Sequence, residues 1–211
     1  MKPAAAQPAV FVDDMLRGAR LHQTPCDHGV MQWQEWACDG GDPTGLPLIL
    51  LHGGFGSWNH WIKNIPDLRQ QRQVWTLDLP GLGGSADLPE PQTPEHFARV
   101  LLQGINQLLG PGAKFELAGF SFGAMIGARL AVLAASRCTR FTAIGAAGCG
   151  GLHVQVSLLR PPSESTPAQE AYSIHRANLR ALMFSGDEQI DELAIYAHGD
   201  NLARDRKRTR L

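Results

Sequence analysis

The sequence GFSFG at residues 119–123 decides how this chain is interpreted, because it joins a predicted strand directly to a predicted helix. Residues 114–118 have the pattern of a short strand, and residues 121–135 have the apolar, alanine-rich composition of a buried helix. So tight a connection leaves no room for side chains two positions before and after the serine, and glycine at residues 119 and 123 removes them. The pattern therefore predicts that the Ser121 hydroxyl stands at the carboxyl edge of a sheet, placed as a nucleophile.

The stretches on either side of this motif alternate between strands and helices. LPLILL at residues 46–51 is apolar at every position, which is typical of a parallel strand buried on both faces. Repeated strand–helix units predict an α/β fold in which a mostly parallel sheet has helices on both faces. The other predictions are a loose lead-in at 1–29, strands at 30–38, 73–79 and 140–146, a helix at 57–71 kinked near Pro66, and a helix from the N-cap Thr93 to about residue 109.

The pattern changes after residue 151. A proline-rich hinge, RPPSESTP, is followed by two capping boxes at residues 166–169 and 185–188. They predict helices that run to about residues 184 and 198, with no strand between them. We therefore divide the chain into a core at 1–150 and a partial helical lid at 151–211.

A second glycine-rich stretch, HGGFG at residues 52–56, directly follows the predicted strand LPLILL. Glycines there allow backbone N–H groups to approach a substrate oxygen. The N–H groups of Gly54 and Phe122 are the predicted donors to the oxyanion of a tetrahedral intermediate. His52 suits either a catalytic base or a brace for the loop, and we favour the brace.

The segments LLHGGFGSWNHW, DLPGLGGS and GFSFGA, in this order, resemble the α/β-hydrolase superfamily over about residues 30–150. The resemblance implies a Ser–acid–His triad with Ser121 as nucleophile, and a helical lid. It places Asp78 and Ser85 in a loop where they are more naturally structural than catalytic. For substrate binding we select Phe55, Trp58 and Phe120, although packing in the core is the favoured interpretation of Trp58.

The chain departs from that pattern after the serine, because the triad acid and histidine are not found. In this fold they follow the serine, in the order acid and then histidine. His198 with Asp200, and His153, are the alternatives, and polar positions in the lid explain them better. We expect that the sequence stops within the lid, that the chain alone is weak or inactive, and that an exposed sheet edge favours self-association.

The sequence favours a serine hydrolase acting on an ester or related carbonyl substrate. Similarity to the superfamily argues against epoxide or haloalkane chemistry, because relatives with those activities carry aspartate at the position of Ser121. Two alternatives remain open: a carbon–carbon bond hydrolase of ring-cleavage products, and a non-catalytic binding module on the same scaffold. A nucleotide-binding fold is disfavoured because no GxGxxG follows a strand.

Composition narrows the remaining classes. The chain of 211 residues has 19 Lys and Arg against 20 Asp and Glu, so its formal net charge of −1 gives no basis for binding nucleic acid or an anionic membrane. Its 4 cysteines form no CxxC pair and predict neither a metal site nor a disulfide framework. We expect no cofactor, a small-molecule substrate as partner and a cytoplasmic location.

Overall fold

The computed structural model describes residues 7–40, 45–146, 157–163 and 165–204. Its strands are β1 Arg20–Cys26, β2 Gly29–Trp36, β3 Leu48–Leu51, β4 Val74–Leu77, β5 Phe115–Phe120 and β6 Cys138–Ile144. Its α-helices are α1 Pro8–Arg17, α2 Ile65–Leu68, α3 Pro94–Leu109, α4 Phe122–Leu133, α5 Ala168–Leu182 and α6 Glu192–Arg204. Short 3₁₀ helices span Trp58–Trp61 and Asp187–Gln189.

The strands form a six-stranded sheet in the order β1-β2-β4-β3-β5-β6. β1 and β2 are antiparallel to their neighbours, whereas β4, β3, β5 and β6 run parallel. Leu51 at the end of β3 pairs with Gly119 near the end of β5, so the two glycine-rich stretches leave the sheet at the same edge. The predicted α/β fold with a mostly parallel sheet is confirmed.

Both faces of the central strands are buried, which explains why LPLILL is apolar throughout. Ile49 and Leu51 of β3 belong to a core cluster with α3 and α4 on one face. Leu48 and Leu50 belong to a second cluster on the other face, with α1 and the first 3₁₀ helix. The outer strand β6 contrasts with them, because Ile144 and most of its other side chains are only partly buried or exposed.

The prediction of a loose lead-in at residues 1–29 is wrong for the part that the structure describes. Residues 8–17 form α1, and β1 forms a hairpin with β2 in which Cys26 pairs with Gly29. The sequence RLHQTPC gives a weak strand signal because β1 is an edge strand with one solvated face, where polar side chains and Pro25 are tolerated.

The prediction of one kinked helix at residues 57–71 is also wrong. A 3₁₀ helix at Trp58–Trp61 is followed by the separate short helix α2, and Pro66 lies in the first turn of α2. Proline fits there because the first N–H groups of a helix have no partner inside the helix. The apolar residues keep helical spacing because successive turns bury the same side.

Thr93 caps α3 as predicted, since its side chain accepts a hydrogen bond from the His96 N–H. The two capping boxes are not formed. Pro167 is the N-cap of α5 without a side-chain hydrogen bond, while Thr166 Oγ1 accepts from the Ser163 N–H. The residues of the second predicted box lead only into the short 3₁₀ helix Asp187–Gln189, whose N-cap Gly186 makes no side-chain hydrogen bond, and α6 begins later, at Glu192. None of the described helices is long and apolar enough to cross a membrane.

Candidate active site

Ser121 lies between the last residue of β5 and the first residue of α4. Its backbone has φ 52° and ψ −114°, a conformation that residues with a side chain rarely adopt. Such a conformation costs about 1–3 kcal/mol and persists only where the surrounding structure enforces it. This elbow is the tight strand-to-helix turn that the GFSFG motif predicts.

The two glycines of the motif are required by close backbone contacts. A Cβ atom at Gly119 would lie 2.5 Å from the carbonyl oxygen of Gly123. A Cβ atom at Gly123 would lie 2.4 Å from the carbonyl oxygen of His52. The elbow is therefore seated against the glycine-rich loop, and neither position has space for a side chain.

The glycine-rich loop lies beside the elbow. A Cβ atom built on Gly53 would be 3.4 Å from the Ser121 Cβ, and one built on Gly54 would be 4.0 Å from the Phe122 Cβ. The Ser121 N–H donates to the carbonyl of Ile144, at 2.9 Å, so it is occupied within the sheet. The structure thus places Gly54 beside Phe122, the residue that follows Ser121, and the role of their N–H groups toward an oxyanion stays a prediction.

His52 braces the loop, as the sequence led us to favour. It is completely buried, and its Nε2 accepts a hydrogen bond from the Leu79 N–H at 2.8 Å. Its Nδ1 therefore carries the proton and donates to the Gly53 carbonyl at 2.7 Å. Burial, and to a lesser extent His60, lower the pKa of His52 to about 3. With both nitrogens engaged and the ring neutral, His52 is not available as a base.

Asp78 and Ser85 hold the loop after β4. The buried Asp78 carboxylate accepts hydrogen bonds from the N–H groups of Trp58, at 2.9 Å, and Gly84, at 2.8 Å. The Ser85 hydroxyl donates to the Asp78 carbonyl and accepts from the Gln32 N–H. These contacts are structural, in agreement with the prediction for both residues.

Two cavities flank the elbow. One cavity, which we call the lid-side cavity because residues of the predicted lid at 151–211 help to line it, has a volume of about 420 Å³. Its wall includes His60, Trp61, Phe120, Ile144, Phe184 and His198. The loop-side cavity has a volume of about 370 Å³, and its wall includes Gly54, Phe55, Leu82, Phe97, Phe122 and Met125. Phe120, which precedes Ser121, thus lines the lid-side cavity, and Phe122, which follows it, lines the loop-side cavity.

The residues selected for substrate binding separate accordingly. Phe120 and Phe55 line the lid-side and loop-side cavities, respectively. Trp58 lines neither, because it is 4% exposed and packs against Trp36 with ring centroids 5.6 Å apart. Its position fits core packing, whereas the nearby Trp61 does line the lid-side cavity.

The alternative triad of Ser121, His198 and Asp200 is not assembled. Within the described residues, no hydrogen bond joins the three side chains, and Asp200 pairs with Arg204 at 3.0 Å on the same helix. His198 is 6% exposed and lies in the wall of the lid-side cavity. His153 lies outside the described residues. Where the structure describes the chain, it also shows no cluster of three or more His, Cys, Asp or Glu side chains suited to hold a metal ion.

Two groups that matter at this site gave no sequence signal. His60 lies in the wall of the lid-side cavity, and its Nδ1 accepts a hydrogen bond from the Gly53 N–H at 3.3 Å. Asn201 of α6 forms reciprocal amide hydrogen bonds with Asn59, at 2.8 and 3.0 Å. The sequence pattern does not reveal the first contact, because it depends on how the glycine-rich loop folds back onto the 3₁₀ helix that follows it. It does not reveal the second, because Asn59 and Asn201 lie far apart in the chain.

This chain is similar in sequence both to a family model and to individual known proteins. A family model of the α/β hydrolase fold matches residues 47–184. A dihydrolipoyllysine-residue acetyltransferase component of the acetoin cleaving system from Pseudomonas putida is 32% identical over 137 residues, 65% of this chain and 35% of that protein. A pimeloyl-(acyl-carrier protein) methyl ester esterase from Legionella pneumophila (strain Corby) is 38% identical over 89 residues, 42% of this chain and 33% of that one. The matched regions are about a third of the length of these curated relatives.

A solved structure extends the similarity to nearly the whole fold. The naproxen esterase (carboxylesterase NP) from Bacillus subtilis superimposes with a TM-score of 0.63 at 15% identity, over 97% of this chain and 70% of that chain. At this identity the superposition shows the fold alone. Since the family model matches most of the chain and the mostly parallel sheet with its helices is consistent with it, this chain belongs to the α/β-hydrolase fold family.

Proposed function

We propose that this chain carries the nucleophile of a serine hydrolase that acts on an ester or related carbonyl substrate. The observation that carries the proposal is the positive φ of Ser121, 52°, at a strand-to-helix turn beside a glycine-rich loop. Residues held in such conformations cluster at active sites, and in this proposal the strain serves to present the Ser121 hydroxyl at the edge of the sheet. Ser121 would attack the substrate carbonyl and form a covalent acyl-enzyme intermediate.

The backbone N–H groups of Gly54 and Phe122 are the proposed oxyanion donors. Phe122 is the first residue of α4, so its N–H is one of the groups at the helix start that have no partner inside the helix. Gly54 lies beside it, and both residues line the loop-side cavity. Each such donor typically stabilises the transition state by about 3 kcal/mol.

The names of the relatives favour an ester as the substrate. One curated relative is called a methyl ester esterase, and one structural neighbour is called a carboxylesterase. These names describe those proteins. Together with a serine at the elbow, they make ester hydrolysis the activity to test first.

We expect slow turnover from the 211-residue chain alone. A serine hydroxyl needs a base to accept its proton, and within the described residues no histidine forms a hydrogen bond with Ser121. An oxyanion hole without a complete triad retains a residual acceleration of about 10³–10⁴ over water. Reaction at Ser121 should therefore be slow and still specific.

The test is labelling with a fluorophosphonate probe, with the modified residue located by mass spectrometry. We expect labelling at Ser121 in the folded chain, loss of labelling in Ser121→Ala, and no change in Ser173→Ala, a matched serine exposed on α5. Equal labelling of folded and urea-unfolded protein would contradict the proposal and favour the binding module. Fast turnover of p-nitrophenyl acetate that depends on Ser121 would support the nucleophile and overturn the expected weak activity.

A further inference from the structure

The wall of the lid-side cavity is mostly apolar but contains two imidazole rings, His60 and His198. Burial, and then the neighbouring His198, lower the pKa of His60 to about 4. Burial, and then His175, lower the pKa of His198 to about 4. Both rings are consequently neutral at pH 7, so the cavity offers hydrogen-bonding groups without charge.

The hydrogen bond from Gly53 fixes the tautomer of His60. Because the Gly53 N–H donates to Nδ1, at 3.3 Å, the single proton of the neutral ring lies on Nε2. Within the part of the chain that the structure describes, no group accepts that Nε2–H. His60 therefore presents an unused donor in the wall of a cavity that also contains Phe120, the residue before Ser121.

The cavity wall is held in place by buried polar contacts. Asn201 of α6 accepts hydrogen bonds from Ser57, at 2.8 Å, and from Asn59, at 3.0 Å, and all three residues are buried. These contacts attach the helix that carries His198 to the segment that carries His60. A wall fixed in this way needs little rearrangement to receive a ligand.

The positive charge that Lys63 brings to the cavity wall already has a partner. Lys63 lines the same cavity, but its ammonium group pairs with Asp191 at 2.6 Å. A carboxylate ligand would lie against neutral imidazoles with no free counter-charge, and burying an unpaired charge is costly. The cavity thus suits an uncharged ligand.

We propose that the lid-side cavity binds the apolar part of an uncharged carbonyl compound, with the His60 Nε2–H donating a hydrogen bond to an acceptor oxygen of the ligand. A volume of about 420 Å³ is sufficient for a medium-chain or single-ring group. The inference rests on the proposed function only in identifying this ligand as the substrate. His60 is also a positioning residue, because its Nδ1 holds Gly53 next to the proposed oxyanion donor Gly54.

The wild-type chain gives the first test, by NMR of labelled histidine rings. The probes are 2-heptanone, which is uncharged and has an acceptor oxygen, hexanoate, which is anionic, and 1-chloropentane, which lacks a strong acceptor. We expect an Nε2–H tautomer at His60 and saturable shifts of the His60 and His198 rings with 2-heptanone. The ring of His52, which has both nitrogens engaged, should not respond. An Nδ1–H tautomer at His60, or binding of hexanoate as tight as that of 2-heptanone, would overturn the proposal.

The variant test compares affinities measured from the His198 resonance. His60→Phe keeps an aromatic ring beside Gly56 and Phe120 but removes the donor. We expect it to weaken 2-heptanone binding about 3- to 10-fold, as for loss of one neutral hydrogen bond, and to leave 1-chloropentane binding unchanged. His28→Phe, in the exposed turn between β1 and β2, is the matched control. An unchanged ratio of the two affinities in His60→Phe would also overturn the proposal.

His60→Gln covers the case in which His60→Phe does not fold, because the amide keeps an N–H donor. It should preserve most of the preference for 2-heptanone, and equal loss of both ligands would count against the hydrogen bond. The probes are not hydrolysed, so the result does not depend on Ser121. Binding without labelling of Ser121 would reject the hydrolase alone, and labelling without His60-dependent binding would reject this inference alone.

Discussion

His52 and His60 hold the same residue, Gly53, from opposite sides and in opposite tautomers. His52 Nδ1–H donates to the Gly53 carbonyl, while His60 Nδ1 accepts from the Gly53 N–H. The Nε2 of His52 accepts a hydrogen bond from the Leu79 N–H. The Nε2 of His60 has no such partner among the described residues, and His60 lines the cavity. The difference separates a residue that only maintains the loop from one that can also meet a ligand.

Of the changes that we predict, acidification should have the largest effect. It should lower the free energy of unfolding by acting on His52 and His60 together. The pKa values of His52, His60 and His198 are lowered to about 3, 4 and 4 from 6.5. Between pH 6.5 and about 4 the unfolded chain therefore binds more protons than the folded chain. The free energy of unfolding is complete above pH 6.5 and should fall by up to about 1.4 kcal/mol per pH unit for each ring as the pH drops.

Urea unfolding at a series of pH values from neutral to acidic measures this slope. Asp78 acts in the opposite direction, because burial raises the pKa of its carboxyl group, and it offsets part of the loss. His198→Gln should make the slope shallower. A free energy of unfolding that stayed constant through this range would show that the rings are not buried and neutral.

Gly123→Ala should disrupt the packing of the elbow against the glycine-rich loop. The new Cβ would lie 2.4 Å from the His52 carbonyl oxygen and 2.5 Å from that of Leu51, and backbone atoms cannot move aside cheaply. We expect a loss of about 3 kcal/mol or more in the free energy of unfolding, measured by urea denaturation. Gly112→Ala is the control, because nothing lies within 4 Å of its Cβ position, and it should be nearly neutral.

Replacing His52 or His60 by phenylalanine tests the difference between these two residues directly. His52→Phe leaves the Leu79 N–H and the Gly53 carbonyl without partners in a fully buried site, at a cost of about 3 kcal/mol. His60→Phe leaves only the Gly53 N–H unpaired and should cost about 1 kcal/mol. Thermal unfolding of both variants would reveal the order, and equal losses would contradict the distinction between the two residues.

Ser121→Gly should have the smallest effect and the opposite sign. Glycine adopts positive φ without strain, so we expect stabilisation by about 1 kcal/mol even though the proposed nucleophile is removed. Ser121→Ala keeps the Cβ atom and serves as the comparison that loses the hydroxyl without relief of strain. Stability equal to that of Ser121→Ala would argue that the elbow is not strained.

The elements that were predicted correctly are those with strong local signals. β3 follows from four successive apolar residues, α3 from an N-cap threonine and a proline, and the elbow from its two glycines. The elements that were missed have weak or shared signals. β1 is a polar edge strand, and the helical spacing at residues 57–71 is produced by two short turns that bury the same side.

Several statements from the sequence remain predictions, among them the nucleophilic role of Ser121, the cytoplasmic location and the three that follow. The division into a core at 1–150 and a lid at 151–211 is one, although α5 and α6 do border the lid-side cavity. Self-association is another, and we expect it at β6, the outer strand at the parallel end of the described sheet. The roles of Gly54 and Phe122 toward an oxyanion are the third.

The sequence by itself determined the fold class and the position of Ser121, because strand periodicity and glycine at a tight turn are local properties of the chain. The tertiary structure alone decided which histidine braces the loop and which lines the cavity. The hydrogen bond of Gly53 with His60 depends on how the glycine-rich loop folds back on the next segment, and those of Asn59 with Asn201 depend on how distant segments pack. The tautomer and pKa of an imidazole follow from those neighbours and from burial, neither of which is encoded at the residue itself.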